Sequence, residues 1–266
     1  MNDLRVTAIQ SDIIWENPDA SKKHFDSHLQ KIDGPTDLVV LPEMFTTGFS
    51  MEPERIAEDY NLENSFSIVW MKSWAKRLNA IITGSISFQE NGKFFNRLVW
   101  AKPDGSISCY DKRHLFRMAS EHQHYTAGTE LLIEDIKGWK ICPLICYDLR
   151  FPVWSRNRLL DGKPLFDVQI YVANWPEVRR EPWKKLLLAR AIENQCYLVG
   201  VNRVGADGNG HHYVGDSAFI NSKGEYLQEF SPEKEEVRTQ VFSYDELEEF
   251  RKRFPVLDDA DSFQIN

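Results

Sequence analysis

The chain has 266 residues, of which 42% are hydrophobic and 27% are charged, as in ordinary globular proteins. Acidic residues outnumber basic ones by 40 to 32, and the net charge of −8 argues against a nucleic-acid-binding surface. No segment approaches the roughly 20 apolar residues that span a bilayer, and the N-terminus lacks the apolar core of a signal peptide. We therefore expect a cytoplasmic protein without nucleic-acid or membrane partners.

Strand-like and helical segments alternate along most of the chain. In order, the pattern predicts a strand at 4–9, a helix at 21–32 capped by Ser21, strands at 38–41 and 80–87 around a helix at 65–78, and a hairpin of 94–102 and 106–110 joined by a PDG turn. A strand at 140–146 follows, in which Pro143 indicates a bulge or an edge position. The later elements are a helix at 151–160, a strand at 168–172, a helix at 181–194, strands at 197–202, 217–220 and 224–228, and a helix at 244–252. This order predicts an α/β layered sandwich with mixed sheets.

Three predicted strands are each followed by a reactive side chain. Cys146 precedes the turn-forming residues YDLRFP, and a cysteine held there is a good nucleophile when a base takes its proton. Glu43 follows the strand at 38–41, where a partly apolar setting suits a carboxylate to act as a general base. Lys112 follows the strand at 106–110, and a lysine near a thiolate stabilises first the thiolate and then an oxyanion. The alternatives are a structural cysteine, a solvated glutamate and a surface lysine.

No metal and no organic cofactor are expected. The cysteines have no zinc-type spacing, and no converging carboxylates accompany the three histidines that lie nearest to the reactive residues, His114, His122 and His124. The remaining cysteines are expected to be reduced and to have no role in the chemistry: Cys109, Cys142 and Cys196.

Around these positions the sequence resembles the nitrilase superfamily of carbon–nitrogen hydrolases over nearly its whole length. The segments LPEMFTTGF, YDKRHLF and ICYDLRFP match the three catalytic boxes of that family, in the same order and at suitable intervals. The resemblance implies one domain, residues 1–266, with an α-β-β-α sandwich fold. It also implies a homodimer formed through the outer helices.

The resemblance further implies a role for each matching residue. Glu43 would be the general base, Cys146 the nucleophile that forms a thioester, and Lys112 a stabiliser of the tetrahedral intermediate. The backbone N–H of Tyr147 would complete the oxyanion hole. Glu121 matches a second glutamate found in many members and would orient Lys112 and the substrate amide.

The segments PEMFTTGFSM and KRHLF are most similar to the omega-amidase branch of the superfamily. This similarity implies a small-molecule substrate, the omega-amide of a 2-oxo dicarboxylic acid such as 2-oxoglutaramate or 2-oxosuccinamate. The alternatives are an aliphatic amidase, an N-carbamoyl hydrolase, a nitrilase, and a catalytically silent scaffold protein. The presence of all three reactive residues argues against a silent scaffold.

The substrate pocket is expected to combine one cation with aromatic walls. Arg150 would bind a substrate carboxylate in a bidentate pair, and a structural ion pair with Asp148 is the alternative. Phe45, Phe116 and Trp175 lie close to the three boxes in sequence and are expected to wall the pocket, with core packing as the alternative.

Overall fold

Two β-sheets lie face to face at the centre of the molecule. The structure, a computed structural model, describes residues 2–265. Its strands are β1 (Leu4–Gln10), β2 (Leu38–Val40), β3 (Glu58–Asp59), β4 (Ile81–Glu90), β5 (Lys93–Ala101), β6 (Ile107–Asp111), β7 (Glu134–Ile136), β8 (Trp139–Ile145), β9 (Leu159–Leu160), β10 (Lys163–Pro164), β11 (Val168–Ala173), β12 (Tyr197–Asn202), β13 (Val204–Ala206), β14 (His212–Val214), β15 (Ala218–Ile220), β16 (Tyr226–Glu229) and β17 (Glu236–Phe242). Its α-helices are α1 (Pro18–Leu29), α2 (Pro53–Ile56), α3 (Phe66–Leu78), α4 (Glu121–His124), α5 (Arg180–Asn194) and α6 (Tyr244–Arg253).

The strand directions place several strand ends at the same edge of the sandwich. The first sheet has the order β17-β1-β2-β4-β5-β6, with β3 beside β4, and the second has the order β16-β15-β12-β11-β8-β7. β2 and β4 are parallel, and β5 is antiparallel to both β4 and β6, so β6 runs in the same direction as β2. In the second sheet β8, β11 and β12 are parallel. The loops after β2 and β6 therefore leave the first sheet at one edge.

Alternation along the strands supplies apolar side chains to two cores. In β2, Leu38 and Val40 belong to the core that both sheets share, whereas Val39 belongs to the core beneath α1 and α3. Leu41, just after the strand, also joins the outer core. Because both faces of the strand are covered, β2 is apolar at every position. This continuous apolar run is the signal that predicted the strand from the sequence.

The second sheet is covered on its outer face by α5. Trp183, Leu187 and Ala191 recur at helical spacing and are buried against the sheet. Gly200 in β12 permits this close packing, because a Cβ there would lie 2.6 Å from Cδ1 of Leu187. The layers are thus helix, sheet, sheet and helix, and the predicted α-β-β-α fold is confirmed.

Two local predictions need correction. The segment 151–160 is not a helix: Asn157 is buried there and donates from Nδ2 to backbone carbonyls of Phe166 and Asn194, which holds an irregular chain in place. Helix α1 begins earlier than predicted, because Asn17 accepts the backbone N–H of Ala20, while Ser21 lies inside the helix.

The strand that carries Pro143 takes the edge position, one of the two predicted alternatives, at that residue. β8 is flanked by β11 and β7 and forms no bulge, but only its first three residues pair with β7. Pro143 lies beyond them, where no described strand pairs with that side, so its missing N–H is tolerated.

The edge strand β17 was not predicted from the sequence. Its sequence EVRTQVF is mostly polar and half-exposed, so the apolar signal that marks the buried strands is weak there. The strand pairs with β1 along its whole length, from Leu4 opposite Phe242 to Gln10 opposite Glu236.

Of the helices within residues 2–265, none has both the length and the apolar character that a membrane span requires.

Candidate active site

Three reactive side chains meet where strands of both sheets end. Glu43 lies three residues beyond β2, Lys112 comes directly after β6, and Cys146 comes directly after β8. Glu43 and Lys112 are fully buried, whereas Cys146 is half-buried and shares the wall of a cavity with Lys112. The fold therefore brings together the three residues that the sequence analysis singled out.

The Lys112 ammonium is enclosed between two carboxylates. Its Nζ donates to Oε1 of Glu43 at 2.9 Å and to both carboxylate oxygens of Glu121 at 3.0 Å. The Phe49 ring lies 4.9 Å from Nζ. Burial by itself lowers the pKa of a lysine, but the two carboxylates more than offset this effect, and the pKa of Lys112 lies well above its ordinary value. Lys112 is therefore a fixed cation at the base of the cavity.

Two asparagines fix the Glu43 carboxylate. Nδ2 of Asn96, in β5, donates to Oε1 at 2.8 Å, and the backbone N–H of Asn174, just after β11, donates to Oε2 at 2.7 Å. The Asn174 side chain also donates to the Glu43 backbone carbonyl at 2.6 Å. Sequence analysis gave neither asparagine a role, although a polar side chain within or next to an apolar strand was a usable signal.

Cys146 sits at a sharp strand-to-turn junction. Its φ of 43° lies in the left-handed region, which is uncommon for any residue except glycine. Cys146 begins a single 3-10 turn that ends at Arg150. Such strained positions cluster at functional sites, because the surrounding structure must hold them in place.

The surroundings that hold this turn centre on one buried carboxylate, Asp148. Its Oδ2 accepts the backbone N–H of Ile145 at 3.1 Å and the hydroxyl of Tyr110 at 2.8 Å. Its Oδ1 accepts the backbone N–H of His114 at 3.0 Å and lies 2.8 Å from Nδ1 of the same histidine. Asp148 thereby ties the loop after β6 to the loop after β8. Its partners exclude the alternative in which Asp148 pairs with Arg150.

The electrostatics of the site keep Cys146 protonated at rest. Burial raises the pKa of the Cys146 thiol well above its ordinary value, and the neighbouring Glu43 raises it further, while Lys112 acts in the opposite direction. The arrangement is a neutral thiol beside a carboxylate. Such a pair can transfer one proton at the moment when the sulfur attacks an electrophile.

The cavity above Cys146 has aromatic walls and two guanidinium groups. Arg150 lies 4.9 Å over the Trp175 ring, and Arg179 lies 5.2 Å over the Phe116 ring. Both arginines are half-buried and line the cavity. Within residues 2–265 neither arginine forms an ion pair, so both are available to an anionic ligand. Sequence analysis missed Arg179, which lies 27 residues beyond the end of the nearest catalytic box and carried no local signal.

Phe45 does not line this cavity, and its predicted place in the pocket wall is corrected here. The side chain is fully buried in the outer core, with its ring 5.5 Å from that of Phe25 and 5.6 Å from that of Trp70. Phe45 is two residues after Glu43, but its side chain points beneath α1 and α3 and not toward the cavity. Core packing, the stated alternative, accounts for it.

Glu121 and Tyr147 both lie at the site. Glu121 accepts from Lys112 and also, at 2.5 Å, from the backbone N–H of Phe116. Burial raises its pKa, and Lys112 only partly opposes that effect. Tyr147 is the second residue of the 3-10 turn, a position at which a backbone N–H has no acceptor within the turn. That N–H is free to donate to a ligand in the cavity.

The three histidines considered in the sequence form no cluster. His114 is bonded to Asp148 and stacked on the Phe151 ring at 3.7 Å, and His122 is exposed on α4. Among the described residues, the one group of histidines and carboxylates with the spacing of metal ligands lies outside this site.

Comparison with known proteins gives a consistent result. The carbon-nitrogen hydrolase family model matches residues 5–252. The chain is 46% identical over 265 residues to the omega-amidase YafV of Escherichia coli strain K12, covering 100% of both chains. It is 34% identical over 258 residues to the 2-oxoglutaramate amidase of Bacillus subtilis strain 168, covering 96% of each. Among solved structures, XC1258 from Xanthomonas campestris, a CN-hydrolase superfamily protein with an arsenic adduct in the active site, is 47% identical over 100% of both chains with a TM-score of 0.96.

Proposed function

The chain belongs to the carbon–nitrogen hydrolase family, and we propose that it is an omega-amidase that converts 2-oxoglutaramate or 2-oxosuccinamate to ammonia and the free dicarboxylic acid. Full-length similarity to the omega-amidase and 2-oxoglutaramate amidase supports this substrate class. The reaction class rests on one observation above all: a buried Glu43–Lys112 pair beside the thiol of Cys146.

In the first half of the proposed reaction, the Cys146 sulfur attacks the amide carbonyl carbon while Glu43 takes the thiol proton. The carbonyl oxygen becomes an oxyanion, which the Lys112 ammonium and the Tyr147 backbone N–H stabilise. The tetrahedral intermediate then collapses. Glu43 returns its proton to the leaving nitrogen, ammonia departs, and a thioester with Cys146 remains.

In the second half, Glu43 removes a proton from a water molecule that attacks the thioester carbonyl. The same two donors stabilise the second oxyanion, and the proton returns through Glu43 to the sulfur of Cys146. Bonds from Asn96 and Asn174 keep the carboxylate in one orientation through both halves. Glu121 holds Lys112 from the other side and so has a supporting role.

Substrate choice is proposed to depend on the two guanidinium groups of the cavity. A 2-oxo dicarboxylic acid monoamide carries a carboxylate at the end opposite its amide. Arg150 is held against Trp175 and is placed to form a bidentate pair with that carboxylate, and Arg179 lines the same cavity. Phe116 and Trp175 would enclose the short carbon chain between the two ends.

The proposal is tested by ammonia release from 2-oxoglutaramate, succinamate, a simple aliphatic amide, a carbamoyl amino acid and a nitrile. We expect 2-oxoglutaramate to be preferred by the wild type. We expect Cys146→Ala to lower its turnover by at least about 10⁴-fold, since a nucleophile is lost. Cys109→Ala, which removes another half-buried thiol, should leave turnover unchanged. Preference for another member of the panel would discard the substrate, and full activity of Cys146→Ala would discard the mechanism.

Two further properties belong to the proposal. We propose a homodimer formed through the outer helices, as the resemblance to the nitrilase superfamily implies; Ile192 is an exposed apolar side chain of the outer helix α5. We also propose a cytoplasmic location, supported by the four free cysteines, one of which must stay reduced to act as a nucleophile. Light scattering of the purified chain tests the first proposal, and cell fractionation tests the second.

A further inference from the structure

A second cluster of nitrogen and oxygen donors lies beside helix α1, away from the residues that line the catalytic cavity. His24 and His28 are four residues apart on α1, so they share one face of that helix. Glu235 directly precedes β17, the edge strand of the first sheet. Ser11 and Asp12 follow β1, the strand that pairs with β17. The cluster therefore joins a helix to two loops at one end of the sheet.

The two imidazoles and the carboxylate converge through single atoms. Nε2 of His24 lies 2.5 Å from Oε1 of Glu235 and 3.3 Å from Nε2 of His28. Nε2 of His28 lies 3.7 Å from the same Oε1. The two rings are nearly perpendicular, with an interplanar angle of 89°. All three potential ligand atoms thus lie within 4.8 Å of one another.

These separations match the coordination sphere of a small cation. Ligands at about 2.0–2.1 Å in a tetrahedral zinc site lie roughly 3.3–3.4 Å apart, close to the 3.3 Å and 3.7 Å separations of His28 from its two neighbours. Only the His24–Glu235 separation has to widen. Both of those side chains are about one-third exposed and can rotate, whereas His28 is 4% exposed and fixed.

Hydrogen bonds from neighbouring groups also fix the Glu235 carboxylate, as is usual for a metal ligand. The backbone N–H of Asp12 and the hydroxyl of Ser11 each donate to Oε1 of Glu235 at 3.0 Å. Such outer hydrogen bonds fix the orientation of a ligating carboxylate. The one-third exposure of His24 and Glu235 leaves an approach from solvent and room for a water molecule as fourth ligand.

We propose that His24, His28 and Glu235 form a binding site for one zinc ion, which links α1 to the segment that enters β17. Two imidazoles and one carboxylate are a donor set that suits zinc and related divalent transition metals. The sequence analysis expected no metal, and it considered other histidines. The alternative is a hydrogen-bonded network without a cation, in which Ser11, His24 and the Asp12 N–H supply protons to the acceptors.

The test measures binding in a background that cannot turn over substrate. Every protein carries Cys146→Ala, because the catalytic thiol could itself bind a soft metal. The metal-depleted chain is titrated with Co²⁺, followed by its visible absorption, and then with Zn²⁺ in competition. We expect one site per chain and a rise in Tm on the order of 5 °C at a hundredfold excess of Zn²⁺ over its Kd.

His24→Asn and Glu235→Gln are each expected to weaken Zn²⁺ binding at least about 100-fold, since each removes one of three direct ligands. His212→Asn is the matched control, because His212 lies 3.1 Å from Oε2 of Glu177 in a His–Glu pair that lacks a second histidine. The Tm of each variant without metal shows whether it is folded. Absence of binding in the parent, or equal affinity in all four proteins, would overturn the proposal and leave the hydrogen-bonded network.

Discussion

The two ends of β11 carry two buried ionic clusters of opposite character. Beyond the last residue of β11, the Asn174 backbone N–H binds Glu43, which with Glu121 encloses Lys112. Before the first residue, Asp167 pairs with Arg251 at 2.6 Å. The first cluster contains two carboxylates for one cation and faces a cavity. The second contains one buried carboxylate for one cation, with the one-third-exposed Glu248 3.7 Å from the same guanidinium.

The cluster before β11 satisfies its own polar groups. The Arg251 guanidinium donates to Asp167 and to the backbone carbonyls of Gln195 and Phe166, both at 2.9 Å. The other Asp167 oxygen accepts the backbone N–H of Lys140 at 2.9 Å. These bonds connect α6 to the beginnings of β8 and β11. A paired charge whose three guanidinium nitrogens all donate is well suited to hold elements together.

The cluster after β11 is unbalanced, and the imbalance is what makes it useful. Two carboxylates around one ammonium leave a surplus acceptor beside the Cys146 thiol, which is where a proton must go when the sulfur attacks. The comparison teaches that burial and ion pairing alone do not mark a catalytic group. A surplus carboxylate among fully buried groups and access to a cavity distinguish the two ends of the same strand.

The largest expected effect distinguishes the two clusters by their contribution to turnover. Glu43→Gln and Asp167→Asn are matched changes of a buried carboxylate to an amide. Glu43→Gln should lower turnover of 2-oxoglutaramate by about 10³–10⁴-fold, because the general base is lost. Asp167→Asn should leave kcat/KM of the folded fraction unchanged, as measured by ammonia release. Similar losses in both variants would contradict the distinction between the two ends.

The second largest effect distinguishes the two clusters by their contribution to stability. Arg251→Met leaves Asp167 buried without its cation, and we expect the free energy of unfolding to fall by about 3–5 kcal/mol. Urea denaturation measures it. Arg253→Met, an exposed arginine of the same helix, serves as the control and should change the value by less than about 0.5 kcal/mol. A small loss for Arg251→Met would show that this cluster is not structural.

A smaller effect is expected from Glu121→Gln, which removes one of the two carboxylates of the unbalanced cluster. Stability should be unchanged or higher by up to about 2 kcal/mol, while turnover falls because Lys112 loses an anionic partner. Burial raises the pKa of Glu121, so the folded wild type holds this proton more tightly than the unfolded chain. The stability that this proton contributes to the wild type is therefore complete below the unfolded pKa of about 4.3. It is lost as the pH rises from that value through the raised pKa of the folded state.

The free energy of unfolding of Glu121→Gln, relative to that of the wild type, should accordingly increase as the pH rises through that range. Urea denaturation at a series of pH values measures the difference. A variant less stable than the wild type at every pH would place Glu121 with the structural pairs such as Arg251–Asp167.

The smallest effect is a shift in the titration of the nucleophile. Glu43 raises the pKa of the Cys146 thiol and Lys112 lowers it. Glu43→Gln should therefore move the midpoint of the pH dependence of iodoacetamide alkylation to lower pH, even though turnover is lost. Mass spectrometry of the alkylated peptide restricts the measurement to Cys146. An unchanged or raised midpoint would mean that Glu43 does not act on the thiol electrostatically.

Much of the candidate site was accessible from the sequence because its residues follow strong local signals. Glu43, Lys112 and Cys146 each come at or just after the end of an apolar strand, and their chemistry is unusual for such positions. Phe45 illustrates the limit of this reasoning. Proximity along the chain to Glu43 indicated the pocket, but the conformation after β2, with Met44 at a φ of 43°, turns the Phe45 ring into the outer core.

The sequence by itself determined most of the buried strands and helices, the reactive residues and the family, since periodicity and motif spacing are local properties of the chain. Only the tertiary structure decided that Asn96, Asn174 and Arg179 join the site, and that His24 and His28 meet Glu235. These groups lie tens to hundreds of residues from their partners. Their contacts depend on strand direction and sheet stacking, for which a linear pattern of residues carries no signal.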